Sequence, residues 1–134
     1  MKNLIAIVVV LASSMVFSAP TDKLINALIK VESNGNVLAV GDNGNAVGCL
    51  QIWKIVVDDV NGFSKTKYTY EDRKSKSKSI EICKAYLNWY GKVYQKNTGK
   101  VPTNSVYARI WNGGPSGYKK SATIKYWNKV AKHI

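Results

Sequence analysis

Residues 32–52 read ESNGNVLAVGDNGNAVGCLQI, and this stretch decides the fold that we predict. It begins at the end of a segment from Asp22 to Ser33 whose apolar residues follow helical spacing. Asn34-Gly35 is suited to ending that helix. The turn-rich run 41–45 then separates two short apolar runs, a pattern that predicts a small β-hairpin or an irregular loop. The stretch therefore predicts a helix, a hairpin and a glycine turn in close succession.

Glu32 is the candidate catalytic residue of this stretch. It follows Leu28, Ile29 and Val31 and lies at the predicted C-terminus of the helix. Burial beside apolar groups raises the pKa of a glutamate, and the negative end of a helix acts in the same direction. Glycoside cleavage needs a carboxylic acid that stays protonated near neutral pH. The alternative interpretation of Glu32 is an ordinary solvated helix residue.

The remaining chain predicts further helices and no second domain. Residues 64–79 are polar and rich in lysine and serine, which indicates a solvated loop with a helical turn near Glu71. The predicted helices span residues 50–60, about 80–96, 105–111 and 122–132. The fold class is therefore α+β and mostly helical, a single small domain with one short β-hairpin.

The first nineteen residues have the pattern of a secretory signal peptide. Lys2 is followed by an apolar run from Leu4 to Val16, and the small residues Ser18 and Ala19 precede Pro20. Cleavage after Ser18 and cleavage after Ala19 fit about equally. The run is short for a membrane span, although a retained anchor is the alternative. We expect a signal peptide over 1–19 and the folded domain over 20–134, secreted or periplasmic.

The chain is strongly basic, with 20 Lys and Arg against 8 Asp and Glu and a net charge of +12. Without Lys2 the predicted mature part carries +11. This charge favours an anionic polymer such as a bacterial wall, a membrane surface or nucleic acid. Export argues against nucleic acid, and plain solubility is the alternative explanation.

Two cysteines remain, Cys49 and Cys83. An even number in an exported chain favours a disulfide, with two buried thiols as the alternative. Together with His133 they form no metal-ligand set. We expect no metal, no cofactor and a monomer.

Four short motifs in order resemble the lysozyme-like superfamily, specifically soluble lytic transglycosylases and goose-type lysozymes. They are Glu32-Ser33, Gly48-Cys49-Leu50-Gln51-Ile52, Ser79-Ile80 with Cys83 and Tyr86-Leu87, and Ile110-Trp111-Asn112-Gly113-Gly114-Pro115. The last differs from the family pattern, which has Ala-Tyr where this chain has Ile110-Trp111. Each motif is weak alone, but the ordered set covers nearly the whole predicted domain and implies a lysozyme-like fold.

The resemblance implies a role for each matching residue. Glu32 is the general acid, and Ser33 holds it or contacts the sugar. Gln51 forms hydrogen bonds in the cleft, and Asn112 lines it near the reacting sugar. Trp111 replaces a tyrosine that in the family lies close to the acid, so the aromatic face stays while the hydroxyl is lost.

Other aromatic and cysteine positions gain meaning from the same resemblance. Trp53 and Trp111 adjoin motifs and can stack on sugar rings, with a core aromatic as the alternative for Trp111. Trp89 and Trp127 follow helical apolar spacing and are expected in the core. Cys49 and Cys83 fall in motifs whose helices pack together in that fold, which supports the disulfide.

Asp42 decides the expected reaction class. Residues 41–48 resemble the stretch of goose-type lysozymes in which an aspartate positions water, whereas another acid of that family is replaced by Trp53. An inverting lysozyme needs such a second carboxylate, and a lytic transglycosylase does not. The alternative for Asp42 is a turn former, while Asp58 and Asp59 are expected to face solvent.

The favoured function is hydrolysis of the β-1,4 bond between N-acetylmuramic acid and N-acetylglucosamine in peptidoglycan. One alternative is a lytic transglycosylase that gives 1,6-anhydro products. Others are a chitinase-like enzyme, a cationic wall-binding protein without catalysis and an inactive lysozyme-like module.

Overall fold

The computed structural model describes residues 5, 7–10 and 16–134. Five helices and one two-stranded antiparallel sheet make up the described part of the chain. In chain order these are α1 (Asp22–Ser33), β1 (Val40–Gly41), β2 (Ala46–Val47), α2 (Lys54–Phe63), α3 (Lys76–Thr98), α4 (Asn104–Gly113) and α5 (Ile124–Ala131). Short 3-10 helices lie at Asp42–Gly44, Tyr70–Lys74, Gly117–Lys119 and Ser121–Thr123.

The core lies where α1 packs against α3, α4 and α5. Leu24 and Leu28 of α1 are fully buried there, together with Leu87 of α3, Ile110 of α4 and Val130 of α5. These apolar side chains recur at helical spacing, so each helix turns one face inward. The end of α1, where Glu32 stands, is thereby held against the rest of the domain.

The first helix and the hairpin have the predicted form. Thr21 caps α1 by accepting a hydrogen bond from the Leu24 amide (3.2 Å), and Asn34 ends it in the left-handed conformation (φ 53°). In the hairpin, Val40 pairs with Val47 and Gly41 pairs with Ala46. The expected class, mostly helical with one short hairpin, is confirmed.

The second helix begins later than predicted, at Lys54 instead of residue 50. Gly48 (φ 87°) and Gln51 (φ 50°) take left-handed conformations that interrupt any helix, and Ile52 forms a bridge with Val47. Gly48 is required because a Cβ there would clash with the main-chain carbonyl of Arg73. Residues 48–53 therefore form a turn at the floor of a cleft.

Two further boundaries differ from the prediction. Helix α2 continues through Asn61 and Gly62 to Phe63, because the Asn61 side chain binds both main-chain groups of Tyr68 and leaves the helix intact. Helix α3 begins before Ile80, since Ser75 caps it by accepting a hydrogen bond from the Lys78 amide (3.3 Å).

Much of the predicted signal peptide, residues 1–4, 6 and 11–15, lies outside the described residues, and the division at residue 19 stays a prediction. In the described part of that peptide, the Val16 carbonyl accepts a hydrogen bond from the Gln95 side chain (3.2 Å) and the Ser18 carbonyl accepts one from the Tyr107 hydroxyl. Among the described helices, none has the length and apolar character needed to cross a bilayer.

Candidate active site

A cavity of about 170 Å³ brings most of the predicted site residues together. It is lined by Glu32, Asp42, Gln51, Ile52, Trp53, Val56, Trp111 and Asn112. Five elements contribute: the end of α1, the hairpin, the turn before α2, the first turn of α2 and the end of α4. Of the predicted site residues outside the cysteine pair, only Ser33 does not line this cavity.

Glu32 has the electrostatic character of a general acid. Burial raises the pKa of its carboxyl from 4.5 to about 7, and the negative charge of Asp42 acts in the same direction. The tyrosine hydroxyl of Tyr126 opposes these two effects and lowers the pKa. Near neutral pH a substantial fraction of the Glu32 carboxyl is therefore protonated and able to donate.

Tyr126 is a site residue that the sequence did not reveal. Its hydroxyl is buried and makes no hydrogen bond within 3.5 Å to any residue of the described part, yet it lies close enough to Glu32 to stabilise the carboxylate as a donor. Burial first, and then the charge of Glu32, raises the pKa of Tyr126 in turn. A hydroxyl faces the acid here although Trp111 has replaced the expected tyrosine.

The hairpin presents Asp42 in an unfavourable backbone conformation. Asp42 (φ 46°) and Asn43 (φ 56°) both lie in the left-handed region, where a side chain costs roughly 1–2 kcal/mol. Asp42 is exposed and lines the same cavity as Glu32. The loop does contain the predicted turn, since the Asn45 amide bonds to the Asp42 carbonyl (3.2 Å), so turn geometry and cavity position coincide in this residue.

Gln51 fastens the turn to the hairpin. Its side-chain nitrogen donates to the carbonyls of Ala39 (3.1 Å) and Gly48 (3.0 Å). Its own backbone is left-handed (φ 50°), a second unfavourable conformation beside the cavity. Gln51 thus holds the loop that carries Asp42 against the loop that precedes α2.

Ser33 fastens the acid's helix to the same turn. Its hydroxyl donates to the Cys49 carbonyl (2.8 Å) and accepts from the Gly35 amide (3.1 Å). These bonds tie the end of α1 to the turn, and both roles expected for Ser33 stay predictions.

A larger cavity of about 580 Å³ continues from the first, and Trp53, Val56, Trp111 and Asn112 line both. Trp53 is 43 % exposed, and the half-buried Trp111 ring meets Tyr86 edge to face with 5.7 Å between ring centroids. Aromatic side chains thus line both cavities of the cleft, and stacking of sugar rings on them stays a prediction.

Two expectations for neighbouring residues need correction. Asp58 is exposed as expected, whereas Asp59 is only partly exposed and accepts a hydrogen bond from the Tyr90 hydroxyl at the wall of the larger cavity. Trp89 is 47 % exposed and stacks on Phe63 at 4.5 Å instead of entering the core.

Cys49 and Cys83 are both fully buried, and they stand as two thiols in this structure. Burial raises the pKa of Cys83 well above its ordinary value, and the charges of Glu32 and Cys49 raise it further. No disulfide joins the two residues in this structure, and their disulfide stays a prediction.

Comparison with known proteins agrees with this geometry. The Transglycosylase SLT domain family matches residues 18–134. The lysozyme of Ostrea edulis is 28 % identical over 130 residues, which is 95 % of this chain and 90 % of that protein.

Solved structures with the same fold are also lysozymes or contain one. Tapes japonica lysozyme is 25 % identical with a TM-score of 0.69, over 86 % of this chain and 94 % of that one. A chain in the crystal structure of Aeromonas hydrophila PliI with Meretrix lusoria lysozyme gives a TM-score of 0.71 at 23 % identity, over 88 % and 93 %. The expected lysozyme-like fold is thereby confirmed.

Fold and site together define a lysozyme-like enzyme of the glycosidase or lytic transglycosylase class. The chain belongs to the Transglycosylase SLT domain family.

Proposed function

We propose that this protein is a secreted lysozyme that hydrolyses peptidoglycan between N-acetylmuramic acid and N-acetylglucosamine. The observation that carries the proposal is the pKa of Glu32, raised to about 7 in a cavity that it shares with a second carboxylate, Asp42. The similarity to the Ostrea edulis lysozyme along nearly the whole chain supports the same reaction.

In this reaction Glu32 donates its proton to the glycosidic oxygen as the bond from that oxygen to the anomeric carbon breaks. Asp42 accepts a proton from a water molecule that attacks the anomeric carbon from the opposite face. One product carries a new reducing end and the other a free 4-hydroxyl. Inversion of this kind requires roughly 6.5–9.5 Å between the two carboxyl groups, which leaves room for the water.

Backbone conformation supports a role for the hairpin. Asp42 and Gln51, which both line the cavity, are held in left-handed conformations that non-glycine residues rarely adopt. Strain of this kind concentrates at functional sites, where the surrounding structure maintains it. The hydrogen bonds of Gln51 to Ala39 and Gly48 supply that support.

A lytic transglycosylase is the second candidate, and the family match favours it. In that reaction Glu32 still protonates the leaving oxygen, while the 6-hydroxyl of the muramic acid residue attacks its own anomeric carbon. A 1,6-anhydro ring forms, no water is consumed, and Asp42 is not needed.

The role of Glu32 is tested by comparing Glu32→Gln with Glu71→Gln, which removes an exposed carboxylate. We expect Glu32→Gln to lower turnover on peptidoglycan by at least roughly 10²-fold, because general acid catalysis alone contributes roughly 10²–10⁴-fold. Glu71→Gln should retain activity. A folded Glu32→Gln protein with more than about a tenth of wild-type turnover would overturn the assignment, and unchanged wall clearing would indicate a cationic protein without catalysis.

A further inference from the structure

A third cavity lies on the hairpin side of Trp53, which also lines the two cavities of the cleft. Its volume is about 170 Å³, and its walls are Gly44, Asn45, Trp53, Lys54, Ile55 and Arg73. This is smaller than the roughly 300 Å³ of pockets that hold a whole drug-sized ligand. The cavity therefore suits a substituent of a larger molecule bound across Trp53.

Arg73 is an unusual wall for such a cavity because it is only 7 % exposed. Its Nε donates to the Tyr70 carbonyl (2.8 Å), and its Nη1 donates to the carbonyls of Ile52 (3.1 Å) and Asn45 (3.4 Å). All three acceptors are uncharged. Within residues 16–134 no carboxylate lies within 4.0 Å of the guanidinium, and Nη2 forms no hydrogen bond.

A buried arginine is normally paired with an anion, because a desolvated charge without a counter-ion is costly. The carbonyls hold the guanidinium in one orientation and leave one of its nitrogens unused. A planar group fixed in this way is prepared for a carboxylate.

Lys54 adds a second positive charge at the same place. Its Nζ lies 5.0 Å from the centre of the Tyr70 ring, and the Arg73 Cζ lies 5.7 Å from it. The carboxylate of Asp58 accepts the Tyr70 hydroxyl (2.8 Å) but lies beyond 4.0 Å from either cation. Both cations thus lie beside one ring and line the same cavity, so an anion bound there would be attracted to both.

We propose that this third cavity is a carboxylate-binding subsite, in which Arg73 and Lys54 receive an anionic substituent of a glycan strand lying across Trp53. The inference rests on the proposed function. It adds a preference for glycan strands that carry a carboxylate over neutral strands. Two parts of peptidoglycan carry such a carboxylate: the lactyl group of an unsubstituted muramic acid and the peptide attached to that group.

The test measures binding by calorimetry to the full-length Glu32→Gln protein, so that no ligand is cleaved. The ligands are tetrasaccharides of alternating N-acetylglucosamine and N-acetylmuramic acid. One pair has the lactyl group as the free acid or as its amide. A second pair carries a short peptide on the lactyl group, with its carboxylates free or amidated. Lys54→Gln is added to this background because Arg73 also binds three main-chain carbonyls, so its removal would disturb the fold. Lys129→Gln is the matched control, since it removes the same charge from an exposed position in α5.

We expect Lys54→Gln to weaken binding of at least one free-acid ligand by about three- to tenfold and of its amide by less than about twofold. The pair that shows the difference identifies the source of the carboxylate. Lys129→Gln should affect acid and amide about equally. The proposal is contradicted if Lys54→Gln weakens acid and amide alike in both pairs, or if neither free acid binds. Cleavage by wild type and its loss in Glu32→Gln would still stand in that case, so the two proposals fail separately.

Discussion

The buried hydroxyl of Tyr126 in α5 faces the carboxyl of Glu32 at the end of α1, and each group shifts the pKa of the other. The nearby hydroxyl favours the carboxylate form and holds the pKa of Glu32 below the value that burial alone would give. The packing of α5 on α1 thus sets the pH range over which the acid is protonated.

The first prediction follows from the sign of that effect. Tyr126→Phe removes the donor, so the pKa of Glu32 should rise above about 7. The alkaline limb of the pH profile of kcat on a neutral chito-oligosaccharide should then move to higher pH. Tyr118→Phe, whose ring packs on Tyr94 away from the cavity, should leave the limb unchanged. If Tyr126→Phe lowers the rate but leaves the alkaline limb at the same pH, Tyr126 contributes only to packing.

The second prediction concerns stability. The folded-state pKa of Glu32 is raised, so this residue favours folding most at low pH, and that contribution is lost between about 4.5 and about 7. Glutamine has no such dependence. The melting temperature of Glu32→Gln should therefore exceed that of wild type at pH 8, and the difference should be smallest at pH 4. Equal differences at both pH values would show that the carboxyl is not perturbed.

The third prediction concerns Asp42. If this carboxylate accepts the proton of the attacking water, Asp42→Asn should lower turnover on peptidoglycan by roughly 10²-fold or more. Asp22→Asn, at an exposed position at the start of α1, should have little effect. Turnover of Asp42→Asn close to that of wild type would favour the transglycosylase reaction.

The fourth prediction concerns the cysteines. We expect the exported protein to contain a Cys49–Cys83 disulfide. In the chain-entropy model, closing a loop of this length stabilises the folded state by roughly 3–4 kcal/mol. Thiol titration of the denatured, unreduced protein should then detect no free thiol, and reduction should lower the melting temperature. Detection of two thiols would contradict the disulfide and agree with the two buried thiols of this structure.

Local signals account for the part of the fold that the sequence predicted well. The bounds of α1 follow from its apolar spacing and from the residues at its two ends, the Thr21 cap and Asn34. The predicted start of α2 at residue 50 was wrong because Gln51 is left-handed and so cannot belong to the helix. Hydrogen bonds of its side chain to Ala39 and Gly48 hold Gln51 in that conformation. Such a conformation depends on tertiary contacts and has no local signature.

The same distinction applies to the site. Glu32, Asp42, Gln51 and Asn112 stand in motifs that could be matched along the chain. Tyr126 stands in no such motif, and its only signal was an aromatic residue on the buried face of a helix with a hydroxyl in need of a partner. Which acid it meets is decided by the packing of α5, and that packing cannot be deduced from spacing alone.

The central claim, hydrolysis with Glu32 as the acid, is tested most directly by mass spectrometry of muropeptides released by the wild-type enzyme in water enriched in oxygen-18. Hydrolysis predicts products with reducing ends that carry one heavy oxygen at the new anomeric position when analysed before exchange with solvent. Glu32→Gln should release almost none of them. If the main products are instead 1,6-anhydro sugars without the label, water is not the acceptor and the account of the reaction is contradicted.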